Sequence, residues 1–296
     1  MNVSARGHLA MLLFSSLVAG SFSLGALVAN DLNPAALNWI RFLIAGIVIG
    51  VVAILTKGVP RSAVVAPWRY LILGGLFAAY FVLMFEGLKT AAPFSTAAVF
   101  TLTPMMSAGF GWVLLRQITT RRMAVALAIG AFGAVWVIFR ADLHALMMFR
   151  IGQGEVYYFW GCLAHALYTP MVRKLNRGEA PVVFTFGTLI AGFVILSIYG
   201  KNDILEVNWT ELSGLVWVTV LYVAVFASAA TFVLLQFATL HLPSAKVMAY
   251  TYLVPSWVAI WEIMLGHGAP NFLVLVGVGF TVIALLLLLR DDRSIK

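Results

Sequence analysis

Apolar stretches of about twenty residues recur along the whole chain, each closed by a charge, a proline or a glycine, with short polar connections between them. A helix needs about 20 apolar residues to cross roughly 30 Å of hydrocarbon, so each stretch predicts a transmembrane span. Cutting at charges, prolines and glycines gives ten: 8–29, 35–56, 68–90, 92–115, 122–140, 155–175, 180–200, 212–239, 242–265 and 270–290. The expected fold class is an all-α integral membrane protein with ten transmembrane helices. Composition agrees, since 62% of the 296 residues are hydrophobic and 10% charged. The single cysteine, Cys162, lies within an apolar run and predicts a buried thiol with no disulfide framework. Leu9–Ala29 follows Arg6 in the manner of a signal peptide, but it is long enough to span and other spans follow, so a retained first helix is expected.

The net charge of +8 does not point to nucleic acid, because the basic residues are scattered through short loops and never interleave with polar helix faces. They carry topology instead. With both termini inside, the inner segments hold Arg6, Lys57, Arg61, Arg69, Arg116, Arg121, Arg122, Arg173, Lys174, Arg177, Arg290, Arg293 and Lys296, 13 of the 19 basic residues. The outer ends hold only Lys89, Arg140, Arg150 and Lys201, while Arg41 and Lys246 fall within spans. Basic residues concentrate in cytoplasmic loops, which predicts an even number of spans in a cytoplasmic (inner) membrane with N- and C-termini inside. Asp203, Glu206 and Glu211 suit the outer loop from Lys201 to Glu211. Asn208-Trp209-Thr210 in that loop matches a glycosylation tripeptide, a weak signal by itself.

The chain repeats itself. With Pro104 set over Pro255, PFSTAAVFTLTP (93–104) matches SAKVMAYTYLVP (244–255), each after a very short connection and before a glycine-containing apolar segment. The repeat is about 150 residues, giving halves of 1–150 and 151–296 with five spans each. An odd number of spans per half forces the two into opposite orientations. Such inverted repeats are typical of secondary transporters, whose site lies near the midplane between halves that rock to expose it alternately.

Each half resembles the EamA-type five-helix unit of the drug/metabolite transporter superfamily: NPAALNWIRFLIAG and FEGLKTAAPFSTAAVFTLTP in the first, FWGCLAHALYTPMVRKL and LQFATLHLPSAKVMAYTYLVP in the second. Within it the chain looks most like the YddG-type exporters of aromatic and other amino acids. The resemblance implies export of amino acids, with helices 1, 3, 4, 6, 8 and 9 bordering a central cavity. Other metabolites or cationic drugs carried on the same fold form one alternative, and a non-transporting membrane scaffold another. The Gly-Glu usual after the fourth and ninth helices of relatives is here Arg116-Gln117 and Gly266-His267, and Arg41 has no counterpart near Pro181–Thr188.

Candidate chemistry lies within the spans. Pro104, Pro255 and Pro170 each remove a helix hydrogen bond, freeing the carbonyls of Phe100, Thr251 and Ala166 for a neighbouring threonine, a water or a substrate ammonium. Lys246 sits about five residues into its span, roughly 6 to 8 Å deep, where it either snorkels to the interface or faces inward below Tyr250 and reads a carboxylate. His165 lies near the midplane with Tyr168 three residues on; it is a packing residue or a substrate or proton group. Tyr80, Phe81, Phe100, Trp160, Tyr252 and Trp257 lie deep enough to pack or to line a cavity that stacks on rings and ammonium groups. Glu86, Glu262 and Arg41 are read at the outer vestibule, in structural pairing or gating. Trp68, Trp209 and Trp217 fit interface belts.

No carboxylate is placed at mid-span, which favours facilitated or weakly coupled movement over obligatory antiport. Gly46/Gly50 and Ala126/Gly130/Ala134 allow close helix approach, within one chain or across a dimer, leaving the oligomeric state open. No metal cluster, P-loop or nucleotide fingerprint occurs, so neither a metal, a cofactor, an enzymatic activity nor ATP-driven transport is expected. The expected partners are a small-molecule substrate, amino acids, and the lipid bilayer.

Overall fold

The computed structural model describes residues 3–139, 142–147 and 151–289; Arg140, Arg150, Arg290, Arg293 and Lys296 of the orientation count lie outside them. Among the described residues the chain is helical without strands: α1 (Val3–Val28), α2 (Pro34–Thr56), α3 (Trp68–Leu88), α4 (Pro93–Phe100), α5 (Thr103–Leu115), α6 (Arg121–Ile138), α7 (Leu143–Met147), α8 (Gln153–Leu175), α9 (Pro181–Tyr199), α10 (Lys201–Glu206), α11 (Gly214–Ala224), α12 (Thr231–His241), α13 (Ser244–Ala249), α14 (Val254–Met264) and α15 (Phe272–Leu289). Local chemistry starts several of them. Pro34, Pro93, Pro104, Pro181 and Pro255 occupy first turns, where the missing N–H removes no bond. Asn33 Oδ1 and Thr120 Oγ1 accept the N–H of Ala35 and Met123 as N-caps.

Three spans are broken and run on as pairs: α4 into α5, α11 into α12, and α13 into α14. With each pair taken as one, nine helices among the described residues are long and apolar enough to cross a membrane. The helix outside that set, α8, has the length at 23 residues, but its tyrosines, His165 and Thr169 lower its hydropathy. Those groups are not wasted on lipid. Tyr158, His165, Tyr168 and Thr169 are all buried, so the least apolar long helix is a central one.

The packing exchanges partners between the halves. α3 lies along α8 and α9, α1 lies along α12 and α14, and α6 lies along α15. The closest approaches use glycine: a Cβ added to Gly74 would stand 2.5 Å from the Gly192 nitrogen, and one on Gly133 2.6 Å from the Gly277 oxygen. The small residues singled out by spacing also serve packing within the chain, Gly50 against Phe186 and Gly130 under the Tyr252 ring.

At the end of the bundle that carries the N-terminus, Arg69 fastens two loops. Its Nη1 donates to the Leu175 carbonyl at 2.7 Å and its Nη2 to Glu179 Oε1 at 2.7 Å, with both side chains buried. Burial by itself would raise the Glu179 carboxyl, but the Arg69 hydrogen bond and the Arg177 N–H hold it below its ordinary 4.5. A depressed carboxyl contributes stability that is present above the unfolded value and lost as pH falls through the folded one. Melting in detergent is therefore expected to weaken below about pH 4.5, and Glu179→Gln to lower stability at pH 7 while flattening that acid limb. Parallel acid limbs in the two proteins would refute the assignment.

Candidate functional site

The two helix breaks that align in the repeat meet in space. The chain leaves α4 through Thr101-Leu102 before Pro104, and leaves α13 through a 3-10 turn, Tyr250–Leu253, before Pro255. Thr103 Oγ1 donates to the Phe100 carbonyl at 2.7 Å and lies 3.1 Å from Thr251 Oγ1. The carbonyl freed by Pro104 is thus satisfied by a threonine, and the Thr251 carbonyl accepts from the Val254 N–H. A hydroxyl and a backbone N–H fill these two gaps in this conformation.

The third break has no proline. Val225–Ala230 forms a π turn between α11 and α12, and such turns leave backbone acceptors out of register. Arg41 uses one. Its Nη2 donates to the Ala227 carbonyl at 2.9 Å, its Nε to Ser228 Oγ at 2.6 Å, and its guanidinium carbon stands 3.5 Å from the Phe81 ring centroid. Asn38 Oδ1 accepts more weakly at 3.5 Å. The side chain is fully buried, and among the described residues no carboxylate lies within ion-pair distance. The arginine is held by neutral groups and an aromatic face, with no counter-ion among the described residues to offset its burial.

Phe81 and Ala227 also line a small central cavity of about 10 Å³, room for roughly one water. Its wall comes from α1, α3, α8, the π turn and α12, and is mostly aromatic. The Phe77 ring lies 3.8 Å from Tyr168 and 4.0 Å from Phe232; Tyr80 and Phe100 stand 4.5 and 5.2 Å from His165. Two buried polar atoms on this wall, His165 Nδ1 and Ser21 Oγ, have no hydrogen-bond partner. Unmatched polar atoms in a dry aromatic enclosure are costly unless something else completes them.

Of the residues named from sequence, His165, Tyr80, Tyr168 and Phe100 come together here. Tyr250 and Lys246 are buried at the N-terminal end of the bundle, where the Tyr250 hydroxyl lies 3.1 Å from His8 Nδ1. At that end Gly7 of α1 stands against Leu242, just beyond α12, and Gln117 Oε1 accepts the Ser244 N–H. Gln117 follows Arg116, whose φ of 55° is the left-handed conformation that favours glycine, so the chain turns there without the glycine of relatives.

Trp257 bonds Ser15 of α1 through its ring N–H at 3.2 Å, while Trp160 is 56% exposed on the lipid side of α8. Pro170 lies inside α8, buried. Glu86, Glu262 and Arg41, read from sequence at one depth, do not contact one another. Glu86 pairs with Lys89 at the end of α3, Glu262 pairs with His267 beyond α14, and Arg41 is in the centre. Residue counting placed Arg41 by its distance from the start of α2 and missed the π turn that receives it. Phe77, Phe232, Ser21 and Ser228 were not singled out from sequence. A buried arginine requires acceptors, and the serine in FASAA (226–230) was the available signal.

The comparisons with known proteins agree with this architecture. A crystal structure of a protein 20% identical to this chain superposes with a TM-score of 0.72 over 99% of both chains, which shows the fold alone. The uncharacterized transporter YyaM of Bacillus subtilis (strain 168) is 23% identical over 251 residues, covering 84% of this chain and 82% of its own. An uncharacterized transporter of Archaeoglobus fulgidus is 23% identical over 283 residues, covering 93% and 94%. The EamA-like transporter family matches twice, over residues 5–139 and 152–290, so the chain is a multi-pass membrane transporter and belongs to the EamA-like transporter family.

Proposed function

We propose that this transporter exports amino acids, aromatic and other large apolar ones foremost, by alternating access between two inverted five-helix halves, residues 1–150 and 151–296. In this reading ten helices span the cytoplasmic membrane with both termini inside, and movement is facilitated or weakly coupled. One observation carries the substrate class: the Arg41 guanidinium, buried without a carboxylate, stands against an aromatic wall that also holds unmatched His165 Nδ1 and Ser21 Oγ. A carboxylate would complete the first, an ammonium the second, and an apolar side chain would replace the aromatic contacts. A cavity of about 10 Å³ has no room for such a molecule, so admission requires the Phe77–Phe232 packing to open. A cationic drug fits less well, since its charge would enter beside Arg41 with no acidic group to receive it.

Proteoliposomes loaded with labelled amino acids, and in parallel with cationic drugs, test this directly. Saturable phenylalanine efflux exceeding that of the drugs is expected; drug efflux without amino-acid efflux would transfer the function to the alternative, and flux of neither would leave a non-transporting scaffold. The same vesicles separate the two readings of Lys246. It lies buried outside the cavity wall, so Lys246→Met is expected to slow efflux of acid and amide alike, as a gate residue does, rather than acids selectively. Selective loss of the free acids would make Lys246 a carboxylate reader.

A further inference from the structure

On the lipid-facing side of the bundle, α3 and α9 leave between them an apolar crease of about 420 Å³, walled by Leu71, Phe186, Ile190 and Val194. Where the crease reaches the N-terminal end of the bundle it adjoins a second recess of about 450 Å³, and Val183 lines both. The second recess is more polar than the crease. Lys57 and Arg177 stand on its rim, both exposed, and among the described residues neither side chain has a carboxylate within ion-pair distance. The one acid on the wall, Glu179, is already engaged: Oε1 takes the Arg69 guanidinium and Oε2 the Arg177 N–H, so the cationic pair is left facing the recess.

We propose that this crease and its basic rim bind one anionic phospholipid, the acyl chain in the crease and the phosphate between Lys57 and Arg177. Charge complementarity selects the headgroup, since two cations without a carboxylate partner beside an apolar channel at the membrane surface favour a phosphodiester of net negative charge over one whose own choline or ethanolamine cation neutralises it. The surrounding loop supports the depth. Val59, Val64 and Val65 are exposed between Lys57 and Trp68, valines suited to a segment lying at the lipid interface and not in bulk water. A lipid seated there bridges the 57–67 loop, α3 and the loop before α9, the same elements that Arg69 and Glu179 hold together.

The experiment is native mass spectrometry of the purified full chain titrated with phosphatidylglycerol, with phosphatidylcholine of the same acyl chains, and with glycerol 3-phosphate. One phosphatidylglycerol is expected to bind at least about tenfold more tightly than phosphatidylcholine. The Lys57→Gln/Arg177→Gln pair is expected to abolish that preference, and Val194→Trp, which fills the exposed wall of the crease, to weaken both lipids. All three positions are exposed, so melting temperatures should stay near wild type. Equal binding of the two lipids, or an unchanged preference in the double variant, overturns the proposal. So does glycerol 3-phosphate binding as tightly as the whole lipid, which would make the rim a free-anion site. A lipid-free dimer that Val194→Trp dissociates would place a second copy in the crease and overturn it equally.

Discussion

Replacing Arg41 by methionine is expected to reduce phenylalanine efflux about a hundredfold while the protein still folds. The reason lies in what the guanidinium touches. It donates to the Ala227 carbonyl and the Ser228 hydroxyl and stacks over Phe81, and none of these returns the energy that a buried cation loses on leaving water. Methionine keeps much of the volume and removes the charge. It leaves one carbonyl without its donor, a cost of about 1 to 3 kcal/mol, against which the relieved desolvation acts. Folding is therefore expected to change little, whereas a carboxylate that the arginine was to meet would lose its partner inside the bundle, typically about 2 to 5 kcal/mol. The fall should be confined to substrates with a free carboxylate, and phenylalanine amide should be affected far less. Arg41→Lys should lie between, because an ammonium keeps the charge but not the planar fork that reaches Ala227 and Ser228 together. Acid and amide falling together would reassign Arg41 to holding the π turn in place.

How far the chain could be read before folding depended on the kind of signal. The spans were legible because hydrocarbon thickness sets a length that the sequence must meet, and their ends were marked by Pro34, Pro93, Pro181 and the cap residues. The breaks before Pro104 and Pro255 were legible for the same reason, since proline cannot continue the ladder. The π turn at Val225–Ala230 was not, because VFASAA contains neither proline nor glycine and its extra residue is stabilised by Arg41, remote in sequence. Along α8, position was legible and direction was not. Trp160 and His165 are both well inside α8, yet one faces lipid and the other the centre, a difference set by the rotation of α8 against α3. Charge identity likewise said that Arg41 and Lys246 were unusual without saying which stands against a residue of the cavity wall. That answer required α2 and the π turn in their places.

The glycine pair in the middle of α3 separates crossing geometry from helix propensity. Gly74→Ala is expected to destabilise the protein by about 1 to 3 kcal/mol, and its neighbour Gly75→Ala to be neutral or to stabilise by up to about 1 kcal/mol. The two residues share a helix and a chemistry. They differ in what their faces meet. A Cβ on Gly74 would stand 2.5 Å from the Gly192 nitrogen, 2.8 Å from the Thr188 oxygen and 2.9 Å from the Ala191 carbonyl carbon, all backbone of α9, so no side chain can rotate out of the way. The axes of α3 and α9 would have to separate, loosening Phe42, whose ring fills the space a Cβ on Gly192 would need. A Cβ on Gly75 would meet only the tip of Ile195 at 3.5 Å, ordinary contact, while removing glycine's entropic disadvantage in a helix. Thermal unfolding of the two variants in the same detergent measures the difference. Equal melting temperatures would mean that α3 and α9 do not cross at Gly74–Gly192. If Gly74→Ala also slows efflux where it remains folded, the α3–α9 contact is part of the moving interface, because α3 carries Phe77, Tyr80 and Phe81 on the cavity wall.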